Sequence, residues 1–114
     1  MDKKLEKLRE YLKMDEDIVF EEFKEYYSGV IGELNSSFDS FENEDCFKAR
    51  YILKILHSNA EARSHKSKKD AKAFRKMAEK SSFWVEAIDY RLQRDGLSKS
   101  DIEEAVARLD STME

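Results

Sequence analysis

Chemistry-bearing residues are few in this 114-residue chain, and most of them are cations in one run. Arg63, Lys66, Lys68, Lys69, Lys72, Arg75, Lys76 and Lys80 follow one another closely, with His65 among them and only Asp70 and Glu79 against them. Lysine and arginine at this density neutralise phosphates and release their counterions. The resulting affinity is independent of sequence and sensitive to salt. The alternative is a solvated face that pairs with acids elsewhere in the chain, including the run from Asp15 to Glu25.

Other reactive constellations are sparse. One cysteine, Cys46, and two histidines, His57 and His65, are too few for a metal site of the Cys/His type. No phosphate loop, GxSxG elbow or HExxH pair is present. Asp15-Glu16-Asp17 lacks the loop glycine and terminal glutamate of a calcium-binding hand. Gly29-Val30-Ile31-Gly32 spells the GxxG of a KH-type RNA clamp, but it falls in a helical seam without the strands that clamp needs. No cofactor, no metal and no small-molecule substrate are expected. Cys46 stands near a helix start with no paired histidine or second cysteine, and reads as structural.

Arg50 and His57 are seven apart, so on a helix they share a face about 10 Å apart along the axis. In this spacing the pair resembles the Arg-x4–6-His motif of HEPN-type ribonucleases, which are small all-helical dimers. The resemblance implies Arg and His residues meeting across a dimer seam to cut RNA without a metal, the histidine serving in proton transfer. It covers two residues. Tyr51 follows the arginine, where that family often has a polar residue.

The elements that would position these groups read as helices throughout. There is no proline and there are three glycines, too little turn punctuation for a β-rich fold. A first helix is expected over 2–13, with Leu5, Leu8 and Leu12 on one side. Asp15 or Asp17 is expected to cap a second. Its seam is Phe20, Phe23, Tyr27, Val30, Leu34, Phe38 and Phe41, at steps of three or four. Gly29 and Gly32 inside that seam imply a closely packed neighbour, a kink, or an end near Asn35. Asn43 is the expected cap of a third helix, whose stretch Tyr51 to Leu56 is apolar nearly all round and therefore central. A turn at Ser64 to Ser67 divides it from a fourth helix over about 68–94; one continuous helix from 46 to 94 is the alternative. Asp95-Gly96 ends the fourth helix, and Ser98 with Asp101 starts a short last one bearing Ile102, Ala105, Val106 and Leu109. The expected fold is all-α: an up-and-down bundle of four to five helices in a single domain, built on a long antiparallel hairpin from 46 to 94.

On a wheel with Phe74 at zero, Ala78, Ser81, Val85, Ile88 and Leu92 lie within about 40 degrees of it. Lys68, Lys69, Lys72, Arg75, Lys76 and Lys80 fall on the opposite arc, between about 100 and 240 degrees. Arg63, His65 and Lys66 extend the patch across the preceding turn. No aromatic is counted on this arc, which weakens the case for stacking on single-stranded bases. Lys68 and Lys69, placed in a first helical turn, work against the helix dipole.

Charge is sorted along the whole chain. Residues 1–45 carry 6 Lys/Arg and 14 Asp/Glu, residues 46–94 carry 13 and 5, and residues 95–114 carry 2 and 6. Helix-dipole complementation accounts for part of the acidic excess; an acidic docking surface for a basic partner or a second copy is the other reading. Trp84, Tyr26, Tyr27, Tyr51 and Tyr90 are candidate interface anchors as well as core-edge residues. A single cysteine, no secretory leader and no long apolar run point to a cytoplasmic protein that is not in a membrane. The expected function is a non-catalytic binding or regulatory module with a macromolecular partner, a protein or a second copy ahead of nucleic acid. A nucleic-acid-associated regulator using Arg63–Lys80 is the second reading, and the HEPN-like ribonuclease the third.

Overall fold

A helix that is apolar nearly all round must be surrounded, and the Tyr51–Leu56 stretch is. In the computed structural model, which describes residues 1–111, this stretch sits in the middle of α3 (Asn43–Lys66). Tyr51, Ile52, Leu53, Leu56 and Ala60 are buried there. α4 (Ala71–Arg94) turns back along α3, and α1 (Asp2–Leu12) and α5 (Lys99–Ser111) also pack on α3. α2 (Phe20–Ser37) runs into a 3-10 turn (Phe38–Ser40) and meets α4 through the rings of Phe23 and Phe74, 5.8 Å apart. The described residues form an all-α bundle of five α-helices and contain no strand. None of these helices is long and apolar enough to cross a membrane.

The wheel drawn from sequence describes α4 closely. Phe74, Met77, Ala78, Ser81, Val85, Ile88 and Leu92 are its buried residues. Ile88 and Leu92 are wholly shielded, as are Ile52 and Leu53 across from them on α3. Each such side chain contributes roughly 1.5–3 kcal/mol through burial. The end of α4 also follows expectation. Gly96 adopts φ +104, and the Leu97 amide donates back to the Leu92 carbonyl at 3.0 Å. Ser98 and Asp101 then cap α5 reciprocally. The Asp101 amide donates to Ser98 Oγ at 3.0 Å and the Ser98 amide to Asp101 Oδ2 at 2.9 Å. These bonds hold the Asp101 carboxyl below its ordinary range.

Helix starts differ more. α2 begins at Phe20 behind Val19, not at Asp15 or Asp17, so the acidic triplet lies in the connecting loop. Of the acidic cluster only Glu21 and Glu22 reach the first turn of α2, where they complement its dipole. α3 is capped by Glu42 rather than Asn43: the Glu42 amide donates to Asp45 Oδ2 at 3.1 Å. The expected α2 seam places Tyr27 inward, but Tyr26 is the buried one. Its hydroxyl donates to the Lys4 carbonyl at 2.6 Å and ties α2 to α1. Of the two seam glycines, Gly29 meets the end of the Lys4 side chain, whose Nζ would lie 2.5 Å from an added Cβ, and Gly32 has no neighbour within 4 Å.

The 46–94 segment resolves as two helices. α3 continues through Lys66, Ser67 turns extended at φ −117, and residues 68–70 form the turn into α4. Ser67 Oγ accepts from the Asp70 amide at 3.2 Å, one of the two bonds of a capping box. The helix starts only at Ala71, with the Asp70 carbonyl accepting its first bond from the Phe74 amide at 3.0 Å. Lys68 and Lys69 therefore lie before the helix and not in its first turn.

Gly96→Ala should lower stability by about 1 kcal/mol, because an L side chain is strained at this positive φ. A urea midpoint unchanged from the parent would show that the α4–α5 corner does not depend on the left-handed residue.

Candidate functional site

The position of each cation is decided by which helix carries it and what that helix must bury. α4 buries the Phe74 side against α3, so its opposite side faces water. Lys72, Arg75, Lys76 and Lys80 are all exposed on that side. Lys68 and Lys69 are exposed in the turn before it, and His65 and Lys66 on the last turn of α3. None of these eight takes part in an ion pair among the described residues. The acidic run Asp15 to Glu25 does not neutralise them: Glu22 instead accepts from the Tyr11 hydroxyl at 3.1 Å. Lys72 stands in the first turn of α4, which contains no acid. The unfavourable dipole contact expected for Lys68 and Lys69 thus falls on Lys72.

Arg63 separates from the other eight. Its guanidinium donates to the Ile18 carbonyl at 2.9 Å and lies over the rings of Phe23, at 4.5 Å, and Phe74, at 5.9 Å. It clamps the α1–α2 loop onto the α2–α3–α4 junction. Its charge is directed into the fold, away from the outer face of α4.

That face does not stop at Lys80. Phe83 lies about 180 degrees from Phe74 on the wheel and Tyr90 about 160 degrees, within the span of the lysines. Phe83 is 60% exposed and Tyr90 70% exposed. The basic arc therefore does carry aromatics, contrary to the reading that ended it at Lys80. The wheel already contained this signal; ending the arc where the positive charge ended hid it. Glu79 and Glu86, at about 140 and 120 degrees, fall within the same span and are also exposed.

Phe83 is supported from beneath. Its ring meets Trp84 edge-on at 5.8 Å, and Trp84 meets Phe38 at 5.3 Å. Arg91 sits over Phe38 at 4.9 Å and donates to the carbonyls of Phe38 and Phe41. Beside Tyr90 is a shallow hollow of about 400 Å³ between Phe38, Asp39, Ala87, Arg91, Arg94 and Asp95. Trp84 is otherwise partly buried, and Tyr26 and Tyr51 are buried, so these three are core-edge residues more than open anchors.

The remaining candidates are committed to structure. Arg50 Nε donates to Asp89 Oδ1 at 2.6 Å, a tie between α3 and α4. His57 lies half-buried on the same helix with Nε2 3.6 Å from Glu61. The HEPN-like pairing needs both side chains free at a common seam, and the arginine is held by Asp89. Cys46 is fully buried, and burial pushes its thiol pKa up. A crevice of about 190 Å³ lies under the α1–α2 loop, between Leu12, Met14, Ile18, Phe23 and Ile55. Of its polar wall groups, Tyr11, Tyr26 and Arg63 are already bonded, to Glu22, Lys4 and Ile18. No group of His, Cys, Asp and Glu able to hold a metal ion occurs among the described residues.

Comparison with protein-family models, with curated proteins and with solved structures found no match to this chain.

The division between inward and outward cations is measurable. Arg63→Ala should cost about 1–3 kcal/mol of unfolding free energy, from a lost hydrogen bond and two ring contacts. Lys72→Ala should stay within about 0.5 kcal/mol. Equal effects in chemical denaturation would contradict the assignment. The Cys46 thiol should resist a thiol-reactive dye in the native protein and react at once in urea. Fast native labelling would contradict its burial.

Proposed function

We propose that this protein is a non-catalytic binding module. It engages an anionic macromolecule through the outer face of α4 and the turn leading into it. The observation that carries this reading is the unneutralised cation run. His65, Lys66, Lys68, Lys69, Lys72, Arg75, Lys76 and Lys80 are exposed, close in sequence and outside every ion pair among the described residues. Several cations elsewhere are matched to carboxylates, as Lys48 is to Asp2 and Arg50 to Asp89, and no other stretch of the chain brings so many unpaired cations together.

Mutual repulsion along this run, and Lys72 at the positive end of α4, weaken the fold slightly. A polyanion would relieve both effects. The rigidity of the α3–α4 hairpin adds to this, since a surface on a packed helix presents its charges at fixed spacing and loses little freedom on binding. The proposal is non-catalytic because Arg50, the one cation spaced to work with a histidine, is held by Asp89. The partner is thus defined by its negative charge; acidic proteins, a second copy's acidic half and nucleic acids all meet that description.

Immobilised heparin tests the face without presupposing the partner. Despite a net charge of −4, the protein should be retained at about 50 mM salt and released as screening rises. The triple variant Lys72→Glu, Lys76→Glu, Lys80→Glu should flow through, while Lys3→Glu with Lys13→Glu on the α1 side should still be held. Failure of the parent to bind, or equal loss in both variants, would remove the proposal.

A further inference from the structure

The polyanion reading leaves the partner's class open, and the second half of α4 narrows it. Beyond Lys80 the same helix face presents Phe83 and Tyr90, seven residues apart and separated by Glu86 and Ala87. Resting on that reading, we infer that the outer face of α4 is a binding surface for single-stranded nucleic acid. Lys66, Lys68, Lys69, Lys72, Arg75, Lys76 and Lys80 hold phosphates, and Phe83 and Tyr90 stack unpaired bases.

Three features select this occupant over a protein. Protein interfaces are depleted in lysine and have a contiguous apolar core. This face is lysine-rich and carries two isolated rings, too little apolar area for an interface of about 800 Å² per partner. Second, the two rings are open to solvent by 60% and 70%, as a stacking platform must be. Phe83 is braced edge-on by Trp84, which in turn rests on Phe38, so its orientation is set before any ligand arrives. Third, charge and rings are arranged in series along one helix, about 27 Å from Lys72 to Tyr90. A strand laid along it meets phosphate contacts first and base contacts next.

The hollow beside Tyr90 continues this track. Arg94 and Asp95, paired at 3.7 Å, and Asp39 line it beside Arg91, whose guanidinium is held by the Phe38 and Phe41 carbonyls. Duplex nucleic acid fits less well, because its base faces are already stacked and Phe83 and Tyr90 would have nothing to cover. Glu79 and Glu86 lie within the face, before and after Phe83 along the helix, and keep its net charge moderate. Affinity from charge alone is therefore limited, and the rings carry a larger share.

Fluorescence anisotropy with labelled mixed-sequence RNA and DNA of about twelve nucleotides tests this. Single strands should bind at about 50 mM salt and weaken at least tenfold by about 200 mM. Phe83→Ala and Tyr90→Ala should each weaken binding about tenfold without changing the salt slope, and Phe83→Trp should restore it. Lys72→Glu with Lys76→Glu should weaken binding and flatten the slope. A duplex of the same length should bind more weakly and ignore Phe83→Ala. All these residues are exposed, and thermal melts would confirm that the variants fold. Absence of single-strand binding at about 50 mM salt overturns the inference. Equal binding of duplex and single strand, with neutral Phe83→Ala and Tyr90→Ala, also overturns it. If either occurs while heparin retention still depends on the α4 lysines, the polyanion reading stands and only the nucleic-acid assignment falls. If heparin retention fails as well, both fall.

Discussion

The rest of the molecule depends on the seam between α3 and α4. α3 is apolar nearly all round over Tyr51–Leu56, with an exposed stripe along Lys54, Ser58, Glu61 and His65, and α4 supplies the longest covering surface for it. Ile52, Leu53, Ile88 and Leu92 are shielded completely at this contact. Arg50 and Asp89 fix the register of the two helices from the side. Once α4 is committed inward along the Phe74 face, the residues opposite must face water. Their chemistry is then displayed on a rigid support.

Arginine is used in this fold mainly as mortar. Arg63 bonds a loop carbonyl and covers two rings, Arg91 bonds the two carbonyls around the 3-10 turn, and Arg50 joins two helices. The planar guanidinium suits such work, since it can donate in several directions while stacking on an aromatic face. The exposed run is by contrast lysine-rich, with Arg75 its only arginine beyond the clamp. Lysine is strongly hydrated and flexible, which makes it a poor internal tie and a ready contact for phosphate.

Much of this was legible in the residues because it depends on local periodicity. The inward set of α4 follows from 100 degrees per residue, and Gly96 with Ser98 and Asp101 is short-range turn chemistry. Helix starts were harder to read. Ser67 and Asp70 can each cap a helix, as can Glu42 and Asn43, and only packing decides between neighbours. The roles of Arg63, Arg91 and Arg50 rest on contacts between residues far apart in the chain, which no local pattern encodes. Phe83 is a different case. Its position on the basic face is local information, obscured by tracing that face through charge instead of geometry.

The central claim is that the outward face of α4, through both its cationic and its aromatic halves, is where this protein meets its ligand. Backbone amide chemical-shift mapping during titration with a short single-stranded RNA measures that directly. The account predicts shifts at residues 65–94 that follow the outward positions, with Lys72, Lys76, Phe83 and Tyr90 prominent and α1 silent. Shifts centred on α1, on the α1–α2 loop or on the free face of α5 would contradict it, as would shifts that stop at Lys80.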